Sequence, residues 1–414
     1  MKIAAEKNGE YYWIKGPASI SIEEGKVEIN GAVFNQGEKI IVHSNRSYTF
    51  LLHGGSSAEV LGGAEFEIDS ASREDIIVYE NWKKKASELM DLCKKGECRV
   101  VVIGEVDSGK TSFATMIANM FLLNGKIPIL IDADLGQNTL GLPGFIAMGK
   151  FNEKSIWPRE LGWDFIAFLG RLSPRGVESE LILQIKRMSE KVIGHPLIID
   201  TDGWISGSEG ESYKYRLISN LSPTIVIAVG EISNTLESLI SGEAEIVKVG
   251  SPPRRARRDR EERRLVKGEK ILKFLSNASK RIIDLRNIPL FFETKMINRS
   301  FAALESKAED GESDTVLEGV RGKADLEGRI CALIGKGGWV RGIGIIEGLR
   351  RWELLVRTNY FEDIKIVQIG YIKLAGNTLI EFPLWGGEVA RRAEVGRGIY
   401  KDRRKVRGEG KGFQ

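Results

Sequence analysis

The sequence predicts an α/β fold, with a central P-loop NTPase parallel sheet covered by helices on both faces and flanked by N-terminal and C-terminal β-domains. Three observations predict it. From residue 99 to about 277, apolar strand-like runs (CRVVVIG, IPILIDAD, HPLIIDTD, PTIVIAVG, AEIVKVG) alternate with helical segments, the signature of a parallel sheet buried on both faces. Before it, ASISIEEGKVEINGAVFNQGEKIIVHS alternates apolar and polar residues, as half-buried strands do. After it, GRICALIGKGGWVRGIGIIEGL, RRWELLVRTN and IKIVQIGYIKLAG return to short strands.

Taken in order, residues 1–72 read as a small β-domain with turns at EEG, NG and NQG. Residues 73–98 read as a helical lead-in, because Trp82, Leu89, Met90 and Cys93 fall at helical spacing, and Gly96 is its stop. The unit with the P-loop then spans 73–279, with a second β-domain over 280–390 interrupted by the polar loop SKAEDGESDTVLEG. The tail 391–414 carries nine Lys/Arg against three acids and little apolar periodicity, so it is expected to be disordered or partly ordered.

Composition narrows the class. The 414 residues are 42% hydrophobic and 29% charged with a net charge of +4, so charge distribution rather than total charge must argue for any nucleic-acid partner. No run reaches the ~18 apolar residues of a membrane span, and MKIAAEKNGEYYW lacks the apolar centre of a signal peptide. The expected setting is cytoplasmic, with no membrane partner. Three cysteines, Cys93, Cys98 and Cys331, read as free thiols in a reducing interior. Three scattered histidines argue against a histidine metal site. Abundant Lys, Arg and Glu with few Gln hint at a thermophilic source.

The stretch GEVDSGKT fits G-x-x-x-x-G-K-S/T at Gly104, Gly109, Lys110 and Thr111, and it joins the strand RVVVI to the helix TSFATMIANMFLLNG. In that context Glu105, Val106, Asp107, Ser108 and Gly109 offer backbone amides to phosphate oxygens. The helix start through Ser112 adds its partial positive charge. Lys110 neutralises β/γ oxygens and the Thr111 hydroxyl ligates Mg²⁺. The ligand is a nucleoside triphosphate with magnesium.

A P-loop fits GTPases, motor and partitioning ATPases and kinases, and three further features bear on the choice. In LIDADLGQ, Asp132 and Asp134 end a strand at the edge where open α/β sheets bind ligands. A carboxylate there accepts a proton from an attacking hydroxyl or helps organise the metal. In LIIDTDGW, Asp200 closes another strand and resembles the usual metal-organising acid. Two strand ends compete for that role, so Asp132 and Asp200 join Thr111 as candidate metal residues. Trp204 is placed to stack on a base or clamp the P-loop, although a lone tryptophan is more often core. In SPPRRARRDREERR, residues 251–264, seven arginines accompany three acids. Such a run is ordinarily a solvated face, but at this edge it reaches phosphoryl oxygens or a nucleic-acid backbone.

At these places the chain resembles one family, the polynucleotide 5′-hydroxyl kinases of RNA processing, found in the eukaryotic pre-mRNA cleavage machinery and nucleolar rRNA maturation, with archaeal relatives. The matching elements are GEVDSGKT, DADLGQ (family D-x-D-x-G-Q), TDGW (T-x-G-W), FLGRLSP (G-x-x-S/T-P) and the arginine-rich lid, with Arg255, Arg260 and Arg264 at the family spacing. The chain departs from the family in the second proline and extra arginines of SPPRRARR and in ILKFL where the family has an aromatic YFYG.

The resemblance implies transfer of the ATP γ-phosphate to the 5′-hydroxyl end of single-stranded RNA, or also DNA, in processing or repair, with RNA-processing proteins as further partners. It implies Asp132 as the base, and Lys110 with Arg255, Arg260 and Arg264 as holders of the migrating group. Thr201 and Trp204 clasp the P-loop lysine or the substrate end. Gln137 and Ser173, with Asp134, contact the terminal nucleotide, and the N-terminal β-domain helps hold adenine. Two alternatives stand beside it: an ATP-binding RNA-processing scaffold with little turnover, and a partitioning-type P-loop ATPase. Against the latter, Glu105 occupies the position where such ATPases carry an additional lysine. A GTPase needs N-K-x-D, which is missing; GEISN at 230–234 is not one.

Overall fold

The computed structural model describes residues 1–44, 46–93, 98–253, 260–292, 295–296 and 326–381. The tail 391–414, the polar loop within the C-terminal region, Gly96 and much of the arginine run, Arg255 included, lie outside the described residues.

The N-terminal region forms two antiparallel sheets. One orders β1 (Lys2–Ala4), β8 (Ser57–Gly62), β3 (Ala18–Glu24) and β6 (Lys39–Val42); the other orders β5 (Ala32–Asn35), β4 (Lys26–Ile29), β7 (Ser47–Leu52), β2 (Glu10–Lys15) and β9 (Glu67–Ser70). The alternation read from the sequence places Ile20, Ile22, Val27, Ile29, Phe50 and Leu52 in one core between them. The expected NG turn joins β4 to β5, with Asn30 at φ 50° and Gly31 at φ 74°, the left-handed pair of a two-residue hairpin. Its tip docks on the next domain, where Asn119 Nδ2 donates to Asn30 O at 2.9 Å.

Helix α1 (Arg73–Leu92) starts with a capping box, in which Ser72 accepts from Asp75 N and the Asp75 carboxylate accepts from Ser72 N. It buries Tyr79, Trp82, Ala86, Leu89 and Met90, as the helical spacing predicts.

The central sheet has seven strands: β10 (Arg99–Gly104), β11 (Ile129–Asp132), β12 (Phe145–Lys150), β13 (Phe165–Phe168), β14 (Leu197–Asp200), β15 (Ile225–Val229) and β16 (Glu245–Val249), ordered β13-β12-β11-β14-β10-β15-β16. The five runs read from the sequence are its parallel part. The expected parallel sheet is extended on one flank by β12 and β13, which pair antiparallel. FIAMGK and FIAF are short apolar runs without alternation, and such runs do not reveal strand direction.

Val100 to Ile103 of the middle strand are fully buried, each contributing roughly 1.5–3 kcal/mol over an exposed side chain. One face is packed by α1 and α2 (Lys110–Leu123), the other by α3 (Glu178–Ser189), α4 (Gly207–Leu221) and α5 (Asn234–Ile240). After α6 (Arg260–Phe274) comes an eight-stranded sheet of β17 (Ser279–Asp284), β18 (Leu290–Phe292), β19 (Lys295–Met296), β20 (Arg329–Ile334), β21 (Val340–Arg350), β22 (Glu353–Thr358), β23 (Ile366–Ala375) and β24 (Thr378–Glu381). It docks on the antiparallel flank, where Phe145 and Phe168 share a core with Ile330, Ile345 and Ile372.

The expectation of three free thiols is corrected. Cys93 ends α1, Cys98 precedes β10, and the two are joined as a disulfide with Cα atoms 5.1 Å apart; Cys331 is free and buried. The sequence spacing excluded a CxxC motif but not a bridge between a helix end and a strand start. A crosslink closing so short a loop stabilises by about 2 kcal/mol in the chain-entropy account. Adding reductant is therefore expected to lower Tm by only a few degrees, which calorimetry with and without reductant would check. Among the described residues no helix is long and apolar enough to cross a membrane.

Candidate active site

The P-loop runs from β10 into α2. Gly109 sits at the helix N-cap with φ 102°, and an added Cβ there would lie 2.9 Å from Trp82 Cη2 and 3.1 Å from Pro252 Cδ. Trp82 is itself anchored, its Nε1 donating to Gly250 O at 2.8 Å and its ring edge-on to Phe113. Helix α1 thus braces the phosphate cradle from behind. Gly109→Ala meets both a forbidden backbone region and an immovable indole, so it is expected to weaken nucleoside triphosphate binding at least about tenfold, or about 1.4 kcal/mol, by titration calorimetry. Lys110 is buried, and its Nζ donates to Glu105 O at 2.6 Å.

Three carboxylates surround this loop in different states. Thr111 Oγ1 donates to Asp200 Oδ2 at 2.6 Å, while Asp200 Oδ1 is buried without a hydrogen-bond partner among the described residues. Burial first, then the neighbouring Asp132 charge, raises the Asp200 carboxyl to about 7. A hydroxyl and an orphaned carboxylate oxygen at one point suit a magnesium ion. Among the described residues no group of three or more His, Cys, Asp or Glu that could hold a metal ion occurs.

Asp132 stands beside Asp200 in the register of β11 and β14 but points into its own loop. Its Oδ2 accepts from Thr139 N at 2.5 Å, Thr139 Oγ1 at 2.7 Å and Leu140 N at 3.2 Å, and its Oδ1 accepts from Asp134 N at 3.1 Å. It is 1% exposed, and burial raises its carboxyl against these bonds. Asp134 differs. It is half-buried, with Oδ1 held by Gly136 N and Gln137 N at 2.8 Å each, and it lines the space over the P-loop together with Lys110, Thr111 and Gln137. Burial, then the charges of Asp202 and Asp132, raise its carboxyl.

In TDGW, Gly203 is the point of contact with the P-loop, since a Cβ there would meet Val106 N at 2.6 Å. Thr201 Oγ1 donates to Val102 O at 2.8 Å inside the sheet. Trp204 stacks on Tyr213 and lies under the Arg175 guanidinium, 4.8 Å from the ring centroid, rather than on the wall over the P-loop. Ser173 Oγ accepts from Arg175 N at 3.4 Å and does not line that wall either. In the lid, α6 begins at Arg260, and Arg264 is exposed.

Two features escaped sequence reasoning. Lys214 is wholly buried behind the clasp, donating to Thr201 Oγ1 at 3.0 Å and to Asp202 O and Oδ2 at 2.9 Å. Nothing local marks a lysine on an amphipathic helix as buried. Arg46, from the loop before β7, reaches the wall beside Lys110 and Gln137, a contact no motif encodes. A second, aromatic slot lies beside Ser112 and Met116, walled by Trp13, Tyr48, Tyr79 and Trp82.

Residues 104–277 match the family model described as the mRNA cleavage and polyadenylation factor CLP1 P-loop. The chain is 26% identical over 318 residues to a polyribonucleotide 5′-hydroxyl-kinase of Pyrococcus furiosus, covering 68% of this chain and 89% of that one. It is 24% identical over 279 residues to a CLP1 homolog of Nematostella vectensis, covering 61% of this chain and 63% of that one, which is less than two thirds of the relative. A chain of the solved wild-type Clp1p–Pcf11p complex superposes with a TM-score of 0.67 at 13% identity, over 90% of this chain and 97% of that one, a likeness of fold.

Proposed function

The chain carries a P-loop domain of the CLP1 family, and from that premise we propose that it is an ATP- and magnesium-dependent polynucleotide 5′-hydroxyl kinase that phosphorylates RNA ends, and DNA ends secondarily, in RNA processing or repair. One observation carries the reading: Lys110 and Thr111 of the P-loop share a single space with Asp134 and Gln137 of the D-x-D-x-G-Q segment. A phosphate-holding loop and a carboxylate facing each other fit transfer to a hydroxyl.

Asp134, through the oxygen not held by the loop amides, orients the 5′-hydroxyl and takes its proton. The bond from the 5′-oxygen to the γ-phosphorus forms, the bond from that phosphorus to the bridging oxygen breaks, and ADP leaves. Lys110, released from Glu105 O, neutralises charge on the migrating group. Arg264, with Arg255 and Arg260, closes over it from the lid. Thr111 and Asp200 would hold magnesium, which supplies charge neutralisation across the phosphates. Asp132, the base that the resemblance implies, is assigned instead to shaping the loop that aims Asp134. The aromatic slot takes adenine, Gln137 meets the terminal nucleotide, and Gly203 presses the clasp on the P-loop. Thr201 and Trp204 support that clasp from the side. RNA-processing proteins are the further partners, and the units 1–72, 73–279 and 280–390 with the tail 391–414 belong to the same proposal.

The reading is tested by measuring ADP formation with no strand, with 5′-hydroxyl RNA and with 5′-phosphorylated RNA. A kinase forms ADP only with the hydroxyl end. Acceptor-independent ADP marks a plain ATPase, and none in any mixture marks a scaffold.

A further inference from the structure

Beside the P-loop space lies a larger cleft of about 290 Å³ that no motif announces. Three parts of the chain wall it: the loop before β7 with Arg46, the segments after β11 and β12 with Gln137 and Arg159, and helix α6 with Lys267, Lys270 and Lys273. Among the described lining residues, those five cations face a single acid, Glu269. The cleft is continuous with the phosphate site, because Arg46 and Gln137 line both.

The cations are held in place. The guanidinium carbons of Arg46 and Arg159 lie 4.7 Å and 5.4 Å from the centroid of the buried Trp157 ring, so one indole fixes both groups. Among the described residues Arg46 Nε is buried without a hydrogen-bond partner, a cost that an incoming acceptor would remove. Lys270 Nζ donates to Asn138 O at 2.8 Å, tying the lid helix to the loop that carries Asp134. Burial, with the charges of Arg159 and Arg46 against the opposing pull of Asp132, lowers the Lys270 ammonium to about 8. The described lining of the cleft carries more positive than negative charge.

We propose that this cleft holds the sugar–phosphate backbone of the single-stranded acceptor just downstream of its 5′ nucleotide, gripped between the N-terminal β-region and α6. The proposal rests on the kinase reading for its direction: the 5′ end points past Gln137 to Asp134, and the following phosphates fall among Arg46, Arg159 and Lys273. A dinucleotide ends near Gln137, whereas a longer strand fills the cleft.

The test compares the full-length protein with the Arg159→Gln/Lys273→Gln double variant, neither residue lining the P-loop space. Anisotropy of labelled 5′-hydroxyl oligoribonucleotides, a dinucleotide and an octanucleotide, is read across a salt series. The octanucleotide is expected to bind at least about tenfold more weakly, with a log–log salt slope shallower by about 0.7 for each cation removed. Dinucleotide and ATP affinity and Tm stay unchanged, and Arg159→Lys/Lys273→Arg restores octanucleotide binding. An unaltered octanucleotide affinity and slope would overturn the proposal, and so would equal losses for ATP and dinucleotide. Because binding is read without turnover, a wild-type protein that binds through the cleft yet transfers no phosphate would refute the kinase reading while leaving the cleft assignment standing.

Discussion

Lys110→Ala is expected to lower transfer of phosphate to a 5′-hydroxyl strand by about 10³-fold, equivalent to roughly 4 kcal/mol of transition-state stabilisation. The reason is positional. Lys110 is buried at the start of α2 and lines the space shared with Asp134 and Gln137. Among the described residues its ammonium donates to the loop carbonyl of Glu105, so its removal costs little stability and Tm should hold. In a low-dielectric site, the ammonium matters most where charge accumulates during transfer. Single-turnover kinetics with matched calorimetry separates the two effects. A variant that retains wild-type single-turnover rates would remove Lys110 from the chemistry.

The second large effect distinguishes two acids that the sequence presents as equals. Asp134→Ala is expected to lose about 10²–10⁴-fold in transfer rate, the usual worth of a positioned proton acceptor, with a smaller fall in Tm because it frees only the Gly136 and Gln137 amides. Asp132→Ala is expected to fail differently. It strands the amides of Asp134, Thr139 and Leu140 and the Thr139 hydroxyl, and each buried unsatisfied donor costs about 1–3 kcal/mol. Tm should therefore fall steeply before activity is considered. Measuring Tm and single-turnover rate for both variants decides the assignment. A folded, inactive Asp132→Ala beside an active Asp134→Ala would return the base to Asp132.

Much of this architecture was legible. Five parallel strands appeared as uninterrupted apolar runs because strands buried on both faces have no polar face to alternate with. The phosphate loop appeared because glycine, lysine and a hydroxyl at fixed spacing follow from the geometry of the cradle. What stayed hidden depends on contacts between distant segments. Strand β12 turns back on β11 across residues 133–144, where the Thr139 amide binds Asp132, and nothing near FIAMGK states its direction. Asp132 and Asp134 are two residues apart on a strand end, so period alone puts them on the same side. The loop amides that capture Asp132, and those that leave one oxygen of Asp134 uncaptured, come from residues 134 to 140.

Arg46 and Trp157 show the same limit at longer range. Each reads as an ordinary residue of a β-turn or loop, yet their side chains meet across the sheet edge. The Trp204 ring stacks on Tyr213, while Gly203 makes the approach to Val106, a division within TDGW that the four letters do not reveal. The arginine run illustrates the converse: it is plain in the sequence, and of its described part Arg264 stands exposed on α6.

The most direct measurement of the central claim follows label from γ-labelled ATP, with magnesium and a 5′-hydroxyl RNA, onto the strand. The account predicts stoichiometric label at the 5′ end, removable by phosphatase, absent with a 5′-phosphorylated strand and lost in Asp134→Ala. ATP consumption that leaves the strand unlabelled, or label that persists without the Asp134 carboxylate, would contradict it.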